Sequence, residues 1–103
     1  MNSNTNITEA LVQAMHEHED ACKALAAATH AYDIKRHTLR KRLYDMKESG
    51  ARKMTEEQIR TETIVACSAE YEAQLQAQCK YNIITERIDT LKTIAKFNTV
   101  VNC

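Results

Sequence analysis

The chain contains a single glycine, Gly50, and no proline. Those two residue types are the strongest breakers of a helix interior, so the backbone is open to long helices on either side of position 50. Gly50 lies in Lys47-Glu48-Ser49-Gly50-Ala51-Arg52-Lys53, where glycine can take the left-handed conformation that closes a helix and that costs other residues sterically. The break divides the 103 residues into nearly equal halves. So few glycines, with no proline and no tryptophan, argue against a turn-rich β-fold, a glycine-rich phosphate loop or a nucleophile elbow.

A restart follows the break. Thr55-Glu56-Glu57-Gln58 fits a capping box, in which the threonine hydroxyl accepts from the Gln58 amide and the Gln58 side chain reaches back. Met54 and Ile59 take the flanking positions of a hydrophobic staple, and Glu56 and Glu57 sit at the positive end of the helix dipole. A weaker start is signalled at Asn6, with Glu9 three residues on.

In the first half Leu11, Met15, His18, Cys22, Leu25, Thr29, Tyr32, Arg36, Leu39, Leu43 and Met46 alternate in steps of four and three, the seam of a heptad repeat. The second half carries Ile64, Cys67, Tyr71 and Leu75, then Tyr81, Ile84, Ile88, Leu91 and Ala95, with a phase slip around Gln74 to Gln78 that reads as a stutter or kink. Two such helices joined by a short turn lie antiparallel. The expected fold is therefore all-α: a coiled-coil-like two-helix hairpin in one domain, helix 1 over about 7–48, the turn at 49–54 and helix 2 over about 56–98. A lone hairpin leaves much of each stripe wet, which predicts a homo-oligomeric bundle or ring, or burial against another protein. The expected interface is Leu25, Tyr32, Leu39, Leu43, Tyr81, Ile84, Ile88 and Leu91. His18, Thr29 and Arg36 are polar seam positions that either set register or lie at the stripe's edge.

The formal net charge is zero but unevenly placed. Residues 1–31 carry one lysine against four acids, and residues 54–103 five basic residues against seven acids. Residues 32–53 carry eight basic residues against three acids: Lys35, Arg36, Arg40, Lys41, Arg42, Lys47, Arg52 and Lys53 against Asp33, Asp45 and Glu48. A hairpin tip of that charge is an electrostatic footprint for phosphates, with His37 and Tyr44 within it as base-stacking groups. In an oligomer the patch is multiplied by the subunit count. The plainer alternative is that these cations solvate the helix and complement the negative end of its dipole.

Catalytic constellations are poor. His16 with Asp20, and His18 with Cys22, have metal-ligand spacing on one helix face, but no second cluster completes a site and the cysteines form no CxxC. Cys22, Cys67 and Cys79 fit small apolar fillers on the stripes, and Cys103 is a terminal thiol open to oxidation. No cofactor and no enzymatic activity are expected. The longest apolar run is Ala24 to Ala28, far short of the ~20 residues of a membrane span. With no secretory signal in Met1 to Asn6, the expected setting is the cytoplasm, with reduced thiols.

Three stretches carry a family resemblance: Arg40-Lys41-Arg42-Leu43-Tyr44-Asp45 ahead of Ser49-Gly50, Thr61-Glu62-Thr63-Ile64-Val65-Ala66-Cys67-Ser68-Ala69, and Ile88-Asp89-Thr90-Leu91-Lys92-Thr93-Ile94. With the restart Lys53-Met54-Thr55-Glu56-Glu57-Gln58-Ile59, residues 30–97 resemble the phage UvsY-type recombination mediators and related small helical phage proteins. The resemblance implies a helical protein that forms a ring, binds single-stranded DNA and helps load a recombinase onto strands coated by single-strand-binding protein. It maps the family's basic stretch onto Arg40, Lys41 and Arg42, and it implies the host cytoplasm for a phage-encoded chain. The competing expectation is a phage or mobile-element accessory protein that binds and inhibits a host protein, such as a nuclease or defence complex. Its helical face would then supply anchors such as Tyr81, Ile84, Ile88 and Leu91. A third is a structural coiled-coil subunit without a ligand.

Overall fold

Gly50 ends the first helix as its sequence context requires, with φ +76°. In the computed structural model, which describes residues 3–101 and the side chains of 6–98, helix α1 runs Ser3–Ser49, α2 Glu56–Ala66 and α3 Ser68–Val101, with no strand among the described residues. The Gly50 amide donates to the Lys47 carbonyl, the Arg52 amide to the Met46 carbonyl and the Ala51 amide to the Ser49 hydroxyl. Carbonyls that the helix end would leave without a partner are thereby satisfied. Helix α1 is already helical at Ser3 and passes through Asn6, so the weak cap expected there does not form. Serine, asparagine and threonine each cost a helix only a fraction of ~1 kcal/mol.

The capping box at the restart is complete. The Gln58 amide donates to Thr55 Oγ1 at 3.1 Å, and the Thr55 amide donates to Gln58 Oε1 at 2.9 Å. Beneath it Met54 and Ile59 are buried with Leu43 in one cluster, against which Leu39 and Tyr44 pack. The staple thus joins the end of α1 to the beginning of α2.

The expected single second helix is divided at Cys67. Thr63 Oγ1 donates back to the Ile59 carbonyl at 2.7 Å, and Ser68 Oγ donates to the Val65 carbonyl at 2.9 Å. Hydroxyls that bond to the preceding turn compete with the helical ladder, although Thr85 and Thr93 make the same bond within α3 without interrupting it. The interruption is local, because the Cys67 amide still donates to the Thr63 carbonyl and the Tyr71 amide to the Cys67 carbonyl.

The helices pack as two compact units. In one, the described residues up to Leu25 pair with those from Ala77 onward; in the other, residues 26–76 close on themselves through the turn. In the first unit the covered positions of α1 are Ile7, Leu11, Ala14, His18, Ala21 and Leu25, and those of α3 are Ala77, Tyr81, Ile84, Ile88, Leu91 and Ala95. The seam therefore selects Ala14 and Ala21, 1% and 3% exposed, where the apolar pattern favours Met15 and Cys22, and Met15 is 59% exposed. Small side chains at two buried seam positions let backbones approach closely, a gain that apolarity ranking does not register.

In the second unit the covered positions include Ala28, Thr29, Tyr32, Arg36, Leu39 and Leu43 on α1, and Ile59, Thr63, Cys67, Glu70 and Gln74 on the returning helices. On the returning helices 59, 63 and 67 make two consecutive steps of four, the signature of a stutter that locally unwinds the packing, while on α1 both Ala28 and Thr29 are covered ahead of Tyr32. The slip expected at Gln74 to Gln78 is absent, because the covered positions 70, 74, 77 and 81 keep their alternation. That expectation followed Ile64, Tyr71 and Leu75, which stand on the surface. No helix among the described residues is long and apolar enough to cross a membrane.

The relocated seam predicts opposite outcomes for neighbouring substitutions. Ala21→Leu overpacks the first unit and lowers unfolding free energy in urea by about 1–3 kcal/mol, whereas Cys22→Leu leaves it within about 0.5 kcal/mol. A methyl group added at Gly50 would meet only open space, so Gly50→Ala tests backbone conformation alone and costs about 1 kcal/mol in the same measurement.

Candidate nucleic-acid interface

The basic segment is carried by the last turns of α1 and by the turn itself. At 3.6 residues per turn, Lys35 and Arg42 share one flank of α1, Arg36, Arg40 and Lys47 the other, and Lys41 lies opposite the seam. The cations therefore surround the end of α1 instead of forming one face. Folding also neutralises part of the segment. Lys35 Nζ lies 2.7 Å from Glu70 Oε1, and Arg36 reaches Asp33 at 3.3 Å with its guanidinium 5.2 Å from the Tyr32 ring centroid. Arg52 makes a two-pronged contact with Glu62, one arm at 3.0 Å from Nη1 to Oε2 and the other from Nη2 to Oε1. Arg40, Lys41, Arg42, Lys47 and Lys53 are exposed and enter none of the ion pairs among the described residues.

The stacking groups are placed unequally. His37 is exposed, but Tyr44 is half-buried against the Leu43 cluster, with the Arg40 guanidinium 6.0 Å from its ring centroid. Tyr32 is likewise engaged, 5.6 Å from the ring of Tyr71.

The eight expected interface residues lie on the seams within the two units. Leu25, Tyr81, Ile84, Ile88 and Leu91 belong to the first, and Tyr32, Leu39 and Leu43 to the second. Leu43 and Ile84 are buried and the others half-buried. The large apolar groups that remain outside are others, among them Ile64, Val65, Tyr71 and Leu75 in the second unit and Ile83, Ile94 and Phe97 in the first. The polar seam positions bond across their own units. Gln74 Nε2 donates to Thr29 Oγ1 at 3.2 Å, and the His18 ring lies 4.9 Å from that of Tyr81.

Of the cysteines, Cys67 is a buried filler, whereas Cys22 and Cys79 are exposed thiols because the seam runs through their neighbours Ala21, Ala77 and Tyr81. Cys103 lies outside the described residues. Among the described residues no group of three or more His, Cys, Asp or Glu side chains is placed to hold a metal ion.

Arg60 is not visible in the sequence as part of the basic segment. It lies in the acid-rich second half, yet α2 brings it to a recess shared with Arg36 and Arg40. Its position follows from the capping-box start at Thr55, which fixes where the first turns of α2 return along α1. Comparison with protein-family models, with curated proteins and with solved structures finds no match.

The Lys35–Glu70 pair gives the segment a pH signature. The Lys35 hydrogen bond holds the Glu70 carboxyl below its usual value near 4.5, and the same bond raises Lys35 above 10.5. A depressed carboxyl contributes stability above its unfolded pKa and loses it as pH falls through the folded one; the raised lysine contributes below 10.5 and loses it on the alkaline side. Glu70→Gln is therefore expected to be destabilised near pH 7 and to show a shallower loss of stability below pH 4.5 than the parent chain. Thermal unfolding followed from pH 7 to pH 3 checks it.

Proposed function

We propose that the protein is a non-enzymatic, self-associating helical protein that binds single-stranded DNA through the basic end of α1, as a recombination mediator or accessory protein. The observation that carries this reading is the set of exposed cations Arg40, Lys41, Arg42, Lys47 and Lys53, which enter no ion pair among the described residues. Cations grouped in this way attract a polyanion and release its condensed counterions. Because they surround the helix end, a flexible single strand can follow them more easily than a stiff duplex can.

Self-association rests on Ile64, Tyr71 and Leu75, spaced seven and four apart and left on the surface of α2 and α3. Copies joined there multiply a weak phosphate contact into an avid one. A recombinase or a single-strand-binding protein would be the further partner, and the host cytoplasm the setting for a phage-encoded chain. The same apolar row supports the second reading, in which the chain docks on a host nuclease or defence complex and inhibits it.

Fluorescence anisotropy of a labelled single strand, titrated at several salt concentrations with a duplex for comparison, tests the first reading. Affinity is expected to fall with salt and to favour the single strand. Replacing Arg40, Lys41 and Arg42 together by alanine should flatten the log–log salt slope by about 2, at ~0.7 for each phosphate no longer neutralised, with helicity unchanged. An unaltered slope removes the end of α1 from the interface. Absence of binding at low salt leaves the host-protein reading.

A further inference from the structure

The recess that Arg60 shares with α1 has the chemistry of a built anion site. Tyr32, Arg36, Arg40, Arg60, Thr63 and Ile64 line a cavity of about 210 Å³ within the second unit. Three arginines from two helices line it, and none of the six lining residues is acidic. Arg36 is oriented from two sides, by the Tyr32 ring beneath it and by Asp33 beside it. Its Nε is shielded from solvent and has no hydrogen-bond acceptor.

The geometry points to Arg36, Arg40 and Arg60 as a site for a phosphate group. Each guanidinium offers a fork of donors suited to an oxyanion. Three forks offer more donors than the two oxygens of a carboxylate can accept, whereas a tetrahedral phosphate presents oxygens in several directions. The cavity has room for such a group and accompanying waters, each of which occupies ~30 Å³. Thr63 is already committed, its hydroxyl donating to the Ile59 carbonyl, so the three arginines carry the recognition. The phosphate has two chemical sources, a small free phosphate or a diester of the DNA strand. The second deepens the DNA-binding reading and rests on it; the first does not.

Arginine Nε–Hε correlation spectra of the full chain, titrated with inorganic phosphate against chloride at matched ionic strength and then with an oligothymidylate, test the site. A saturable shift of the Arg36 Nε signal is expected with either probe. Arg60→Gln should weaken the response to phosphate about tenfold. Arg60→Lys, which keeps the charge and loses the fork, should restore it only in part. In the strand titration Arg60→Gln should lower the salt slope by about 0.7, while Lys96→Gln, at an exposed position of α3 in the first unit, leaves the Arg36 signal's response in place.

An Arg36 signal unmoved by both probes overturns the site. If the strand binds while that signal stays still and Arg60→Gln changes nothing, the recess fails and the DNA reading survives. If inorganic phosphate saturates the signal while no strand binds, the recess stands as a site for a small phosphate and the DNA reading fails.

Discussion

The second unit depends on one apolar contact, the burial of Met54 and Ile59 with Leu43 beneath the Thr55 cap. The capping box satisfies backbone donors that the start of α2 would otherwise leave open, and the staple below it fixes the angle at which the chain re-enters. Once Ile59 is seated, the positions that follow on α2 have no freedom of face. Thr63 and Cys67 turn inward, Ile64 and Val65 turn outward, and Arg60 comes to the recess beside Arg36 and Arg40.

Polar side chains hold register where apolar ones do not reach. Glu70 and Gln74 occupy seam positions, and each meets a partner on α1, Lys35 and Thr29 respectively. A polar group on a seam is tolerated when its partner is in place and penalised when the helices slide. The steps of four at 59-63-67 and the interruption at Cys67 lie in the same unit. Thr63 and Ser68 back-bond on either side of that interruption.

The electrostatics of the basic segment are a property of the folded chain more than of its composition. Glu62 and Glu70, ten and 35 residues further along the chain, neutralise Arg52 and Lys35, and Arg60 adds a cation from an otherwise acidic helix. The residual charge is both smaller and differently placed than a count along the chain implies. It surrounds the end of α1, with three arginines lining one recess.

The helical class, the turn at Gly50, the start of α2 and the antiparallel return were legible in the sequence, because each rests on local chemistry: a lone glycine, an absence of proline, a cap and a staple within six residues. The heptad frame through Leu11, His18, Leu25, Tyr32 and Leu39 was legible too, since a seven-residue period needs no partner to be seen. Tertiary packing alone decided the intervening positions. It buried Ala14 and Ala21 and exposed Met15, Cys22, Ile64, Tyr71 and Leu75, because the fit between two facing helices depends on the size of both sides, and apolarity along one chain does not encode that. It also decided which cations are paired, because an ion pair across the hairpin requires the register that only the folded chain supplies.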